Sequence, residues 1–144
     1  MMKNASGSPL SVMSSSDDRG SASPADPAVR VSNLRVRRRR RETLHGLTFD
    51  LPTGTITGLL GPSGCGKTTL MRVLVGVQHY DGEVTVLGAA PGAPAVRDRI
   101  GYVTQEAAVY KDLTARQNLR YFASLAGSRA RDIDEVLEAV GLAS

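Results

Sequence analysis

Apolar and polar residues alternate in two early runs of the chain, at 29–36 and 47–51. Alternation is the period of a strand with one buried face, so each run predicts a β-strand, although the first alternates imperfectly. The arginines and Glu42 between the two runs are predicted to sit at a turn. The segment Pro52–Thr53–Gly54 has turn chemistry and should close the second strand.

The pattern then changes to a nearly continuous apolar run at 55–60. Such a run is typical of a strand covered on both faces in a parallel sheet. A glycine-rich loop follows, and apolar residues at helical spacing over 70–74 predict a helix that Gly76 ends. Short apolar runs at 83–87 and 100–103 predict two further strands.

The last third of the chain reads as two helices. Thr114 and Gln117 have the spacing of a capping box, and Gly127 is expected to end the first helix. Its apolar face would consist of Ala115, Leu119, Phe122 and Ala126. The second helix starts near Asp132 and ends at Gly141. Its predicted core stripe consists of Ile133, Val136, Leu137 and Val140.

Composition sets the domain limits. The chain has 144 residues, which favours one domain. Residues 1–28 are rich in Ser, Pro, Gly and Asp and are predicted to be a disordered tail, so 29–144 forms the ordered domain. No apolar run approaches the roughly 20 residues that span a bilayer, and the start lacks the apolar core of a secretory signal. We therefore expect a soluble, intracellular protein, held at any membrane by a partner.

The glycine-rich loop is the strongest chemical signal. Residues 61–68 fit the pattern G-x-x-x-x-G-K-[ST] of a phosphate-binding P-loop, or Walker A motif. A buried strand enters the loop and an apolar-periodic helix leaves it, as the motif requires. Glycines let the backbone wrap around phosphate, and the backbone N–H groups of 64–69 can form an anion nest at a helix N-terminus. Lys67 would reach the β- and γ-phosphates, and the Thr68 hydroxyl would bind Mg²⁺. The predicted nucleotide-binding residues are Gly61, Pro62, Ser63, Gly64, Cys65, Gly66, Lys67, Thr68 and Thr69.

The variant at 61–70 resembles the Walker A motif of ABC-type ATPases in particular. Residues 44–54 resemble the antiparallel hairpin that leads into the P-loop strand of that family, and 82–88 resemble the strand after the Walker A helix. Residues 100–105 resemble the Q-loop segment. The resemblance implies an α/β fold: a P-loop NTPase core sheet, an antiparallel β-subdomain and part of a helical subdomain. It also implies ATP and Mg²⁺ as ligands.

The resemblance gives Gln105 a role beside Lys67. In the family, the Q-loop glutamine reaches Mg²⁺ and the region of the attacking water, where the core passes to the helical subdomain. Residues 106–122 look like the transmission region of bacterial drug-export or ABC-2-type exporters, a surface that receives a coupling helix from the membrane subunit. Catalytic and metal-binding roles are therefore predicted for Gln105, with Lys67 catalytic and Thr68 metal-binding.

Two features depart from the family pattern. The sequence carries no signature motif and no Walker B acid, so we expect a truncated domain that holds nucleotide weakly and hydrolyses it slowly or not at all. The stretch 29–48 also has no aromatic residue to stack on adenine. The aligned position falls near Arg38, whose guanidinium plane can stack on a base, so Arg38 is added to the nucleotide-binding residues.

The function that this resemblance implies is the ATP-binding subunit of a membrane exporter, cytoplasmic and peripheral on the inner face of the membrane. Its partners would be a transmembrane permease subunit and a second ATP-binding subunit in a head-to-tail dimer. The alternatives are a soluble ABC-type ATPase acting on ribosomes or DNA, and a non-catalytic remnant. The arginine run at 37–41 favours nucleic acid mildly, but no interleaved aromatics support that reading.

Overall fold

A computed structural model describes residues 11–15, 26–38, 41–106, 108–125, 127 and 132–142. For 11–15 and for Asp132 the description concerns the backbone alone. The chain divides into two compact units, Met1–Ile100 and Gly101–Ser144, each described by itself below. Within the described ranges, no helix is long and apolar enough to cross a membrane.

A three-stranded antiparallel sheet forms the centre of the first unit. Strand β2 (Val29–Arg38) lies between β3 (Arg41–Leu51) and β5 (Asp81–Val86). The alternating runs at 29–36 and 47–51 thus become neighbouring strands, and the predicted strand at 83–87 is confirmed within one or two residues. The imperfect alternation of the first run has a physical cause, because register shifts interrupt β2 between Val31 and Arg35.

The predicted turn in the arginine run is shorter than expected. Arg37 pairs with Glu42 and Arg38 with Arg41, so the β2–β3 hairpin continues past its last buried pair, Val36 and Leu44. Strand pairing is made by backbone groups, which extend the ladder beyond the apolar pattern. The two residues that join the strands, 39 and 40, lie outside the described residues.

The core of the first unit lies between this sheet and helix α1 (Lys67–Leu74). Its members are Val31, Leu34, Val36, Leu44, Leu47, Phe49, Cys65, Leu70, Val73, Val84 and Val86. Helix α1 ends at Leu74, two residues before Gly76, the predicted stop. The left-handed φ of Gly76, 80°, lets its N–H group donate to the Val73 carbonyl while the N–H group of Val77 donates to the Arg72 carbonyl. A four-residue helix, α2 (Pro94–Arg97), buries Val96 and was not predicted.

Strand β4 (Ile56–Leu60) enters the glycine-rich loop, as predicted, but its sheet differs from the expectation. It pairs antiparallel with β1 (Ser11–Ser15), in register from Ser11 opposite Leu60 to Ser15 opposite Ile56. No described strand runs parallel to β4, and Ile56 is 85% exposed. The prediction of cover on both faces is therefore wrong for the described residues, because the sheet formed here gives β4 a single described neighbour.

Strand β1 also falls inside the segment 1–28 that composition predicts to be disordered. The N–H and C=O groups along a strand edge can pair with almost any extended backbone, whatever its side chains. A polar, serine-rich segment can therefore form a strand without burying apolar surface. Residues 1–10 and 16–25 lie outside the described part, and for them the prediction of disorder stays a prediction.

The second unit contains helices α3 (Ala115–Leu125) and α4 (Asp132–Ala139). The capping box is confirmed: the Thr114 N–H group donates to Gln117 Oε1 at 2.8 Å, and the Gln117 N–H group donates to Thr114 Oγ1 at 3.2 Å. Gly127 and Gly141 have left-handed φ values of 67° and 72°. Both positions are therefore compatible with the predicted helix ends.

Three predictions about residues 100–140 differ from the structure. Residues 100–103 form no strand, since no described strand pairs with them. The apolar stripe of α4 is only half buried, with Ile133 and Leu137 inside and Val136 and Val140 exposed. Of the predicted apolar face of α3, Ala115 and Phe122 are exposed and Leu119 is half-buried, while Ala126 lies outside the described residues. The buried residue among those described in α3 is Asn118.

Candidate functional site

The glycine-rich loop connects β4 to α1 and turns through two left-handed glycines. Gly64 has a φ of 78°, and Gly66, the residue before α1, has a φ of 103°. Residues with a Cβ rarely adopt these angles, which explains why the turn is built from glycine. The loop residues 61–64 are exposed, whereas Cys65 and Gly66 are buried against the sheet.

Gly66 fixes the loop to strand β3. A Cβ at this position would lie 2.6 Å from Leu44 Cδ2 and 3.1 Å from the Thr43 carbonyl oxygen. Such distances leave no room for a side chain, so the backbone of α1 approaches β3 closely. The N-terminal end of α1 is thereby held beside the part of β3 that precedes Leu44.

Lys67 bends back over the loop that precedes it. Its Nζ donates to the carbonyl oxygens of Gly61 at 2.6 Å and Pro62 at 2.8 Å, and approaches Cys65 Sγ at 3.7 Å. The ammonium group therefore lies inside the curve of the loop, at the helix N-terminus. Both the cation and the helix dipole make this curve electropositive.

The first turn of α1 supplies donors to the same curve. The N–H groups of Lys67, Thr68 and Thr69 lie in the first helical turn, where no preceding helical carbonyl is available to them. Leu70 is the first residue to bond back, donating to the Gly66 carbonyl at 2.9 Å. Thr68 is exposed, so its hydroxyl is accessible to a ligand.

These residues fit a nucleotide polyphosphate with Mg²⁺. Left-handed glycines allow close backbone approach, free amides and Lys67 offer donors to phosphate oxygens, and the Thr68 hydroxyl is an oxygen ligand of the kind that Mg²⁺ accepts. The loop, Lys67 and Thr68 would hold the phosphates and the ion. In phosphoryl transfer, Mg²⁺ neutralises charge on the phosphate oxygens.

The end of the β2–β3 hairpin carries Arg38, the residue predicted to contact the base. Arg38 is exposed and lies directly opposite Arg41. A register shift separates the pair Val36–Leu44 from the pair Arg37–Glu42 and leaves Thr43 as the extra residue of β3. Strand β2 itself has no extra residue there, so alternation along β2 puts Arg38 on the face of the buried Val36. This is the face on which Leu44 meets Gly66 of the loop. By register, both arginines therefore fall on this face, beyond its last buried pair.

The opposite face of the same hairpin has paired charges. Arg35 Nη1 donates to Glu42 Oε1 at 3.0 Å, and His45 Nδ1 lies 3.6 Å from Glu42 Oε2. Desolvation raises the pKa of Glu42, but the hydrogen bond and charge of Arg35, with the charges of His45 and Arg37, outweigh it, so the pKa is lowered overall. Glu42 is therefore an anion at neutral pH that compensates this face.

Gln105 belongs to the second unit, where it is exposed in a bend. Beyond it, Asn118 is the one buried polar residue of the described chain. Its Oδ1 accepts the Tyr110 N–H group at 2.8 Å, and its Nδ2 donates to the carbonyls of Tyr110, Leu113 and Thr114 at 3.0–3.1 Å. Asn118 thus holds the segment 110–114 against α3.

Aromatic side chains of this segment and of α3 lie next to one another. The ring of Tyr110 meets that of Tyr121 edge to face, with centroids 4.9 Å apart, and stacks at 27° to that of Phe122, with centroids 6.3 Å apart. All three are 40–51% exposed. Sequence patterns did not single out Asn118, because an isolated asparagine in a helix normally faces solvent.

A cavity of about 340 Å³ lies elsewhere in the first unit, beyond the C-terminal end of α1. Its lining consists of Gly76, Val77, Gln78, His79, Tyr80 and Pro91. None of the predicted site residues takes part in it. The cavity is therefore separate from the glycine-rich loop.

Comparison with known proteins gives a consistent set of relatives. The daunorubicin resistance ATP-binding protein DrrA3 of Streptomyces coeruleorubidus is 42% identical over 126 residues, which cover 83% of this chain and 40% of the relative. The Nod factor export ATP-binding protein I of Sinorhizobium fredii is 35% identical over 127 residues, or 86% of this chain and 37% of the relative.

An importer component is also similar: the sulfate/thiosulfate import ATP-binding protein CysA of Burkholderia mallei is 34% identical over 113 residues, 77% of this chain and 32% of the relative. The chain thus spans about a third to two fifths of the length of these relatives. A family model described as ABC transporter matches residues 44–144. A match of that extent implies a P-loop NTPase fold and ATP binding, and the chain therefore belongs to the ABC transporter family.

Proposed function

We propose that this chain is the ATP-binding part of an ABC-type exporter subunit, which binds ATP with Mg²⁺ at its glycine-rich loop. The observation that carries the proposal is Lys67, held inside the curve of the loop by the carbonyls of Gly61 and Pro62. A cation fixed at a helix N-terminus is an anion site with a defined position. Thr68 binds Mg²⁺ in this proposal, and Arg38 contacts the nucleotide from the hairpin.

Export is the direction favoured by two relatives, whose names describe Nod factor export and daunorubicin resistance. The importer component in the same set leaves the direction to experiment. We assign the aromatic side chains after Gln105, those of Tyr110, Tyr121 and Phe122, to contact with a membrane partner. This partner would be a permease subunit that holds the chain at the inner face of the membrane. Gln105 itself would reach Mg²⁺ and the region of the attacking water. A second ATP-binding subunit would complete a head-to-tail dimer.

The nucleotide part of the proposal is tested by titrating the purified chain with a fluorescent ATP analogue and Mg²⁺. Lys67→Ala should weaken binding at least tenfold, because a net contribution of about 1.5–3 kcal/mol is typical of a hydrogen bond to a charged group. Arg72→Ala is the matched control, since it removes a cation from the exposed side of the same helix. Equal affinities for all three proteins would contradict the proposal.

Two further measurements address turnover and the partner. Phosphate release followed in the same sample reports whether binding is accompanied by hydrolysis. The permease is tested by co-expressing the chain with a multi-span membrane protein encoded beside it. We expect the chain to sediment with the membranes only in that co-expression, and a chain that stays in the supernatant would contradict the partner assignment.

A further inference from the structure

The arginines of the β2–β3 hairpin differ in how their charges are compensated. On the hairpin face opposite to the glycine-rich loop, Glu42 accepts a hydrogen bond from Arg35, lies within 3.6 Å of His45 and pairs with Arg37 across the strands. On the other face, Arg38 and Arg41 stand opposite each other. Among the described residues, no acidic side chain forms an ion pair with either of them.

Two like charges directly opposite each other on antiparallel strands destabilise the pair. A bound anion between them would turn this repulsion into attraction, and planar guanidinium groups match the oxygens of a phosphate. The strand that carries Arg41 also contacts the glycine-rich loop. Arg41 precedes Thr43 by two residues, or about 7 Å of strand, and the Thr43 carbonyl lies against Gly66.

We infer that Arg38 and Arg41 form a second anion-binding site, which takes a phosphate group of the nucleotide held by the glycine-rich loop. The inference rests on the proposed function and deepens it. A guanidinium could instead lie flat on the base, but a second guanidinium facing the first favours a ligand with negative charge. The glycine-rich loop and the arginine pair would then both contact the negatively charged phosphates of the nucleotide.

The test uses inorganic tripolyphosphate, which has the charge of a nucleotide but no base. Its affinity for the 144-residue chain is measured by competition with the fluorescent ATP analogue. Arg38→Ala and Arg41→Ala should each weaken tripolyphosphate binding about fivefold, an effect in the upper range of exposed ion pairs. Arg37→Ala is the matched control, because it removes the same charge from the same hairpin on the opposite face, and it should change the affinity less than twofold.

A second readout does not depend on the fluorescent analogue. In a Lys67→Ala background, tripolyphosphate should still raise the midpoint of thermal unfolding, and adding Arg38→Ala should remove that rise. Without the anion, Arg38→Ala should unfold at the same or a slightly higher temperature, because a repulsion is removed. This result also shows that the variant folds.

Three outcomes would overturn the inference. In the first, Arg37→Ala weakens tripolyphosphate binding as much as Arg38→Ala, which indicates a diffuse positive field. In the second, Arg38→Ala weakens ATP binding and leaves tripolyphosphate unchanged, which indicates stacking on the base. In the third, tripolyphosphate does not bind at all. Lys67-dependent binding of ATP would preserve the proposed function in each case, whereas its loss would end both.

Discussion

Single residues in the glycine-rich loop meet different physical limits. Gly64 and Gly66 both have left-handed backbones, but only Gly66 also lacks space for a Cβ, because Leu44 and Thr43 stand against it. The space around Gly64 is open. An alanine at position 64 would therefore meet backbone strain alone, whereas an alanine at position 66 would meet backbone strain and a steric clash.

We expect Gly66→Ala to lower the free energy of unfolding by about 2–4 kcal/mol, the sum of a left-handed alanine and a forced contact with Leu44. Gly64→Ala should cost about 1–2 kcal/mol, since only the backbone term applies. Urea unfolding of both variants measures the difference. Equal losses would show that the β3 contact does not limit the position.

Glu42 gives the first unit a defined pH response. Its pKa is lowered in the folded chain, so its contribution to stability is present above the ordinary pKa of an unfolded glutamate and is lost as pH falls through the lowered value. We expect Arg35→Ala to raise the pKa of Glu42, measured by NMR titration of its carboxyl group. Arg30→Ala, whose partner is Asp50, is the control and should leave the Glu42 pKa unchanged.

At the scale of elements, sequence patterns predicted correctly those hydrogen bonds that form between residues close together in the chain. The capping box of Thr114 and Gln117 needs only residues three apart, and both hydrogen bonds form. The hairpin ends were less predictable, because the ladder continues to Arg38 and Arg41 through backbone pairing alone. The burial of Asn118 depends on the segment 110–114 folding onto α3, which no local pattern encodes.

We expect Asn118→Ala to destabilise the second unit by about 1–3 kcal/mol, because it leaves the Tyr110 N–H group without its acceptor and removes the amide donor from the Leu113 carbonyl. The carbonyls of Tyr110 and Thr114 lose the same donor but keep the backbone N–H groups of Leu113 and residue 118. Hydrogen exchange of the Tyr110 amide should accelerate in this variant. Gln117→Ala removes only one bond of the capping box and serves as the control, with a smaller loss of about 0.5–1 kcal/mol. Unchanged protection of Tyr110 in Asn118→Ala would contradict the anchoring role.

For the whole molecule, the sequence predicted the order of most helices and strands along the chain, but it did not predict which strand pairs with β4. A run such as 55–60 reports that its side chains are apolar, but it does not say which strands cover them. In the described structure the neighbour is β1, a polar segment that joins through its backbone. The turn between β4 and α1 was predictable for the same reason as the capping box, since the loop, Lys67 and α1 are contiguous in sequence, whereas the pairing of Arg41 with Arg38 depends on the register of the hairpin.

Removing β1 should therefore affect association rather than the hairpin. A chain lacking residues 1–25 uncovers one edge of β4, and uncovered strand edges promote pairing between molecules. We expect it to form larger species in light scattering at concentrations where the full chain does not. A chain lacking only residues 1–10 keeps β1 and is the control. Equal scattering by both truncated chains would show that β1 does not protect that edge.

The contacts of Lys67 have a consequence for the thermodynamics of nucleotide binding. Because Nζ is held by the carbonyls of Gly61 and Pro62, contacts within the protein itself fix the curve of the loop. The entropy of ordering is then lost during folding, and little of it is left to oppose association. Calorimetry of ATP binding should accordingly show a small change in heat capacity, since an exposed, preformed loop buries little apolar surface when the phosphates enter.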